Sequence, residues 1–511
     1  LAAEGQHPPQ SVNRLSTRRR FLKNATLVGG AALSTQILSF PQVSWSQAQA
    51  GAEPKVAIIG AGLAGLNAAY QLKKQGVTAT VYEASTQLGG RVRSIAAMGE
   101  GIMSDLGGSF INSDHEDMIT LARELGVTLI NQNDVAKKLP FPPSAYYFNQ
   151  KLISEGEVAE KLRPLAAQIS KDATLLDKDY DTYAPQIDQF SVAQYLDKYA
   201  ALIPEPFIRR LIEGTVRSEY GVEPAESSAI QLTFILPAVN GQAVELISGS
   251  DEAFVTAQGN GQLIDKLAQA LPGQIKTRKQ LIGLQSQGTG FQLQFKGGDP
   301  VSADVVIMAI PLAVLRQLKL NVKLPDGLNR VIQELNLGRN EKILAGFNQR
   351  IWQQAKGFAQ QLWDDIGVTE VWDDTLRSPT SKSGVLTYFF GADEVKEALV
   401  GTPSTQGKLY TSKLNAIIPG LEAAATGNYL RTAWGQDPLI QGAYTNFKPG
   451  QYTAFSEFRY VESEKPEERQ DVHVDNLIFA GEHFSDEYYG YMNGGAQTGR
   501  LAAAVALRLL K

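Results

Sequence analysis

Three glycines stand in the order Gly60-x-Gly62-x-x-Gly65, and an acid, Glu83, follows 23 positions after the first of them. Each spacing has a physical reading. Gly60 permits a tight turn, Gly62 lets the backbone approach a large anion, and Gly65 lets a following helix lie close to the preceding strand. The start of that helix offers free N–H groups and the positive end of its dipole to phosphate. An acid at the distance of Glu83 accepts hydrogen bonds from ribose hydroxyls. The chemistry is retention of an adenine dinucleotide, with NAD and FAD not separated by this fingerprint. A second group stands near the other end of the chain. Residues 481–495 read GEHFSDEYYGYMNGG, with Gly481 and Glu482 ahead of a Gly-Tyr-Met step and a run of small residues.

Both groups need a strand before them and a helix after them. KVAIIG, residues 55–60, is a short β-branched run suited to a buried parallel strand. LAGLNAAYQLKKQG has apolar residues at helical spacing and ends on Gly76, a plausible helix stop. TATVYEA supplies a second strand and completes a βαβ unit. Residues 155–235 read as helical. A helix then follows GNG at 259–261, KQLIGLQSQGTGFQLQF reads as a hairpin, and ADVVIMAIP as another buried strand. The last segment, 471–511, is a strand followed by a small-residue helix. The fold class is therefore α/β, a Rossmann-like dinucleotide domain interleaved with a mixed α+β substrate domain that carries a helical insert. Its expected segments are 54–115, 253–312 and 446–511 for the first, and 116–252 and 313–445 for the second.

Composition narrows the function. The chain has 511 residues, a formal net charge of −5 and no cysteine. The charge argues against nucleic acid as the main partner. The missing thiols exclude disulfides, thiolate catalysis, iron–sulfur clusters and a cysteine-tethered flavin. The four histidines, His7, His115, His473 and His483, show no metal-ligand spacing, so no metal is expected. Residues 17–23 read TRRRFLK, an apolar stretch follows, and AQA stands at 48–50. That order reads as an export leader of the twin-arginine type over 1–50. It implies passage through the Tat machinery to a bacterial periplasm or exterior. No other apolar run reaches about 18 residues, so no transmembrane span is expected in the mature chain.

Further motifs carry a resemblance. LGGRVRS places Gly89, Gly90 and Arg91 just after Glu83, DLGGSFI spans Asp105–Ile111, and FAGE with GYMNGG closes the chain. Together these resemble the flavin amine oxidase superfamily over nearly all of the chain after residue 54. The resemblance implies FAD held by Gly60, Gly62, Gly65, Glu83, Gly90, Arg91, Gly481, Glu482 and Met492, and the missing cysteine makes noncovalent binding the expectation. It implies that Glu482 lies by the ribityl or phosphate part, and that the helix start at Tyr491–Gly494 faces the flavin pyrimidine. It implies a cage of Tyr444 and Tyr491 around an amine nitrogen, and a Lys342 that holds a water. The expected partners are a primary amine or an L-amino acid, basic ones such as arginine or lysine included, and O2 or a quinone as acceptor. A homodimer is compatible with this reading.

Departures from the family are visible as well. Phe110 stands where snake-type amino acid oxidases carry a carboxylate-gripping arginine, and Asn112 where polyamine oxidases often carry histidine. Arg93, Arg209, Arg210 and Arg217 are the remaining candidates for a carboxylate, and Glu213, Glu219 and Glu223 for a cationic tail. Their ordinary reading is solvated surface charge. A desaturase, a porphyrinogen oxidase and a non-catalytic binding protein on the same fold stay open as alternatives.

Overall fold

A computed structural model describes residues 54–98, 101–463 and 465–511. The leader expected over 1–50 lies outside the described residues.

Val56–Ile59 is buried along its whole length, which places it in the middle of a sheet. It pairs in parallel with Ala79–Tyr82 on one side and with Val305–Met308 on the other. Ile275–Lys276 extends one edge and Leu477–Phe479 the other, both parallel. His473–Val474 closes the sheet as an antiparallel edge strand. This six-stranded sheet thus takes strands from the start, middle and end of the chain.

The fingerprint helix, Leu63–Lys74, leaves the sheet directly after Gly62. It ends as the sequence suggests, with Gly76 at φ +79° just beyond it. The C-terminal helix, Met492–Leu509, lies against it. The approach is close because the facing residues are small. A Cβ on Gly499 would sit 2.3 Å from the carbonyl oxygen of Ala64. The Asn67 amide also donates to the Ala496 carbonyl at 2.7 Å.

A seven-stranded sheet forms the other half of the site. Its order is Ala425–Arg431, Asn340–Phe347, Gly384–Gly391, Glu370–Asp373, Gln361–Asp364, Ser144–Phe148 and Lys151–Ile153. Asn340–Phe347 is buried at every position and pairs antiparallel with Gly384–Gly391, so that Lys342 stands opposite Phe389. Helices Glu155–Lys178 and Pro206–Tyr220 make up much of the insert. The second of these stops at Gly221, φ +63°. Among the described residues no helix is long and apolar enough to cross a membrane.

Candidate active site

The strand–turn–helix at Gly60 opens onto a cleft of about 340 Å³. Gly60 has φ +100°, and a Cβ there would meet the Ala309 carbonyl oxygen at 2.5 Å. A Cβ on Gly65 would meet the Gly60 carbonyl oxygen at 2.0 Å, so Gly65 serves packing and does not line the cleft. Gly62 differs from both, since a Cβ there meets nothing within 4 Å. The backbone is open to the cleft at that one turn. No side chain caps the helix that starts at Leu63, which leaves its first N–H groups to a ligand.

Glu83 lines the same cleft and its carboxylate is held at the turn. It accepts from the Ala61 N–H at 2.8 Å and from the Ser85 N–H at 2.7 Å. Gly90, Arg91, Gly481, Glu482 and Met492 line the cleft too. Arg91 donates to Glu482 Oε1 at 3.0 Å, the Thr445 hydroxyl to the same oxygen at 2.9 Å, and the Gly490 N–H to Oε2 at 2.6 Å. Burial alone would raise the Glu482 pKa, but the Arg91 charge and these donors hold it below the usual value. Glu482 is therefore an ionised anchor for the turn that leads into the C-terminal helix. That helix begins beyond Tyr491 with no side-chain cap, its N-terminus turned to the cleft.

A second cavity, of about 840 Å³, meets the cleft along a seam. Gly107, Gly108, Lys342, Phe389, Tyr444, Gly490, Tyr491 and Met492 line both spaces. The three residues proposed from the sequence as reactive, Lys342, Tyr444 and Tyr491, are thus all brought to the seam.

The Tyr491 hydroxyl donates to Glu219 Oε2 at 2.9 Å. The His115 ring meets the Tyr491 ring edge-on at 5.2 Å. His115 Nδ1 accepts the Asn112 N–H at 3.0 Å, and burial drives its pKa down to about 3, so the imidazole is neutral. Lys342 is buried, and its Nζ donates to the Gly107 carbonyl at 2.6 Å, the Ser109 hydroxyl at 2.7 Å and the Asp105 carbonyl at 3.1 Å. All three donors of the ammonium are used within the protein, whereas the family resemblance implied one turned to a water. Burial also lowers the Lys342 pKa to about 8.

Acids line the cavity, among them the buried Glu370 and Asp373 and the half-buried Glu219 and Glu252. Burial raises Glu219 to about 7 and Glu370 to about 8, and it raises Glu252 well above the usual carboxylate value. The Ser218 hydroxyl donates to Glu370 at 3.0 Å. Sequence reasoning found only Glu219 among them. Glu213 and Glu223 do not line the cavity. They pair instead with Arg209 at 2.8 Å and Arg217 at 2.9 Å. Among the described residues no arginine lines the cavity, though Lys137 and Lys342 do. Arg93 lies in the cleft over the Trp434 ring, and Arg210 pairs with Asp365. Phe110 lines the cavity with its ring edge-on to Trp372, and Asn112 accepts from the Ser250 hydroxyl at 2.9 Å. Glu370 opens the buried strand EVWD, which is acidic at both ends and so gave no sequence signal of a buried acid. Glu252 had none.

A dinucleotide cleft that meets an acid-lined cavity at an aromatic seam defines a nucleotide-dependent oxidoreductase for small substrates. The chain belongs to the flavin-containing amine oxidoreductase family, whose model matches residues 63–507. It is 24% identical over 470 residues to a flavin-containing amine oxidase of Oncorhynchus mykiss, covering 88% of this chain and 84% of that one. The fold matches wild-type putrescine oxidase bound to putrescine with a TM-score of 0.73 at 20% identity, covering 89% of this chain and 99% of that one. It matches cyclohexylamine oxidase from Brevibacterium oxydans with a TM-score of 0.69 at 22% identity, covering 90% and 100%. The cofactor is FAD, and the residues present fit it. Gly62 leaves a cradle that any Cβ would narrow, two uncapped helix starts face the cleft, and Arg91 adds a cation.

Proposed function

We propose that the protein carries out oxidative deamination of a primary amine that bears a second cationic group, a diamine or polyamine in the simplest case. The observation that carries this is the set of acids Glu219, Glu252 and Glu370, each raised by desolvation, on the wall of a cavity that no arginine among the described residues lines. Three carboxylates pushed up by burial are costly to ionise, and a bound cation lowers that cost. The two lysines on the cavity wall are already engaged, Lys342 by Asp105, Gly107 and Ser109 and Lys137 by Asp134 at 3.8 Å, which argues against an amino acid carboxylate. An apolar polyene or porphyrinogen would strand the same acids, which argues against the desaturase and porphyrinogen alternatives.

When bound, FAD accepts the hydride equivalent from the carbon that carries the reacting nitrogen. The protein supplies placement. Tyr444 and Tyr491 present ring faces to the nitrogen at the seam. Glu219 and His115 fix the plane of Tyr491, and the acid cluster holds the far ammonium, so the reacting end points at the cleft. Water hydrolyses the released imine to a carbonyl compound and ammonia. O2 or a quinone then takes the two electrons.

Anaerobic bleaching of the bound flavin tests the substrate class. Putrescine and spermidine are expected to bleach it faster than tyramine, and lysine or arginine more slowly than either of those two. Equal rates with tyramine and putrescine would remove the case for a second cationic group. Faster bleaching by lysine or arginine would restore the amino acid reading. A protein that stays colourless after FAD is added would support a non-catalytic binder.

The flavin is proposed to be noncovalent, because the chain has no cysteine. Acid precipitation is expected to release the yellow chromophore into the supernatant. Colour that stays in the washed pellet contradicts this.

A further inference from the structure

We infer that Asp374 and Arg377 are positioning residues for Lys342: they fix the loop that holds its ammonium and set the pH at which that ammonium is lost. The inference rests on the reading above, in which the flavin fills the cleft and Lys342 stands at its inner end.

The three acceptors of Lys342 lie on one short loop, 105–109. That loop is held from behind. The Asp105 carboxylate accepts from the Ser94 hydroxyl at 2.5 Å, from the Asn260 N–H at 2.8 Å and from Arg377 at 2.8 Å. The Asn260 amide donates to the Gly108 and Ser109 carbonyls at 2.9 Å each. Arg377 also reaches Asp374, at 3.2 Å. The side chains of Arg377, Asp105 and Asp374 are at most 3% exposed, so this pairing is screened from water. Neither Asp374 nor Arg377 lines the cleft or the cavity. Any effect they have on the reaction passes through Lys342 and its loop.

Lys342 and Arg377 are two buried cations against two buried anions, Asp105 and Asp374. Such a set is sensitive to the loss of one member, because the remainder carries an uncompensated charge. Around Lys342 the charged and titratable groups come from four elements: Asp105 on its loop, Asp374 and Arg377 on the turn Asp374–Arg377, Glu252, and Glu370 on its strand. Burial is the largest influence and favours the neutral amine, Asp374, Asp105 and Glu252 favour the ammonium, and Arg377 opposes it. As an ammonium, Lys342 fills all three acceptors. As an amine it keeps two N–H donors and a lone pair, which the Ser109 hydroxyl meets by turning its hydrogen. The loop then changes its hydrogen bonding without changing its path.

The test is a pH titration of the visible spectrum of the holoprotein, since a nearby charge perturbs a flavin. Wild type is expected to show a transition near the Lys342 value of about 8. Lys342→Met should abolish it. Asp374→Asn should move the midpoint lower by about one pH unit, the effect of losing a close opposite charge. Asp374→Glu should bring it back. If Asp374→Asn does not retain flavin, Arg377→Gln is titrated instead and should move the midpoint upward. A transition that survives in Lys342→Met, or a midpoint unmoved in the flavin-loaded Asp374→Asn or Arg377→Gln protein, overturns the inference. Absence of flavin from the wild-type protein refutes the functional reading instead, so the two failures are distinct.

Discussion

Gly65→Ala protein is expected to purify without flavin. The added Cβ would lie 2.0 Å from the Gly60 carbonyl oxygen and 3.3 Å from a methyl of Ile58. The first of these is backbone and cannot swing aside. The helix must move off the strand, and the turn at Gly60–Gly62 moves with it. Overpacking of this kind costs about 1–3 kcal/mol. If that cost falls on the bound form, flavin affinity drops by about 5- to 150-fold. Gly62→Ala is the informative contrast, because its Cβ meets no protein atom within 4 Å. Its apoprotein should melt like the wild-type apoprotein, and it should lose flavin only by crowding the cradle. The checks are absorbance near roughly 450 nm relative to protein and thermal unfolding of both variants. Wild-type flavin content in Gly65→Ala would show that the helix start does not hold the cofactor.

Tyr491→Leu should reduce kcat/KM by about 10- to 100-fold, a loss of about 1.4–2.8 kcal/mol of transition-state stabilisation, with flavin content unchanged. The reason is removal of the ring face from the seam. From sequence alone, Tyr491→Phe is expected to cost little, because the ring is kept. The structure changes that expectation. The phenol donates to Glu219, and this bond is the one influence that lowers the Glu219 pKa against burial. Without it the pKa rises above about 7, so Glu219 holds its proton to higher pH. The ionised form attracts the cationic substrate. Tyr491→Phe should therefore be impaired at pH 7 and approach wild type as the pH is raised, whereas Tyr491→Leu stays impaired throughout. A pH profile of kcat/KM for the three proteins decides it. Parallel profiles for Phe and wild type would mean that Glu219 does not act on the substrate.

The parts of the site legible in the sequence are those in which spacing along the chain is itself geometry. Gly60, Gly62, Gly65 and Glu83 belong to one strand–turn–helix–strand unit, so their intervals report their positions. Lys342, Tyr444 and Tyr491 come from separate segments, and only resemblance to a family joined them. Glu252 and Glu370 were not legible. Their meeting depends on how a loop before residue 254 packs against a four-residue strand more than 100 positions later. Glu213 and Glu223 misled for the opposite reason. Acids near the helix Pro206–Tyr220 look available, yet arginines four and six positions away already hold them. The donors of Lys342 were hidden in the same way, since its acceptors lie on a loop 233–237 residues earlier.

The contact between the helices Leu63–Lys74 and Met492–Leu509 also bears on how the protein is made. The phosphate-binding turn leaves the ribosome well before its covering helix, which is synthesised 429 positions later. At about 5–20 residues per second, the 429 positions between Leu63 and Met492 take roughly 20 to 90 seconds. Through that interval the first βαβ unit has an uncovered apolar face and half a cofactor site. Flavin capture is thus a late event in biogenesis, and a chain interrupted before Met492 leaves that half-site exposed to chaperones and proteases.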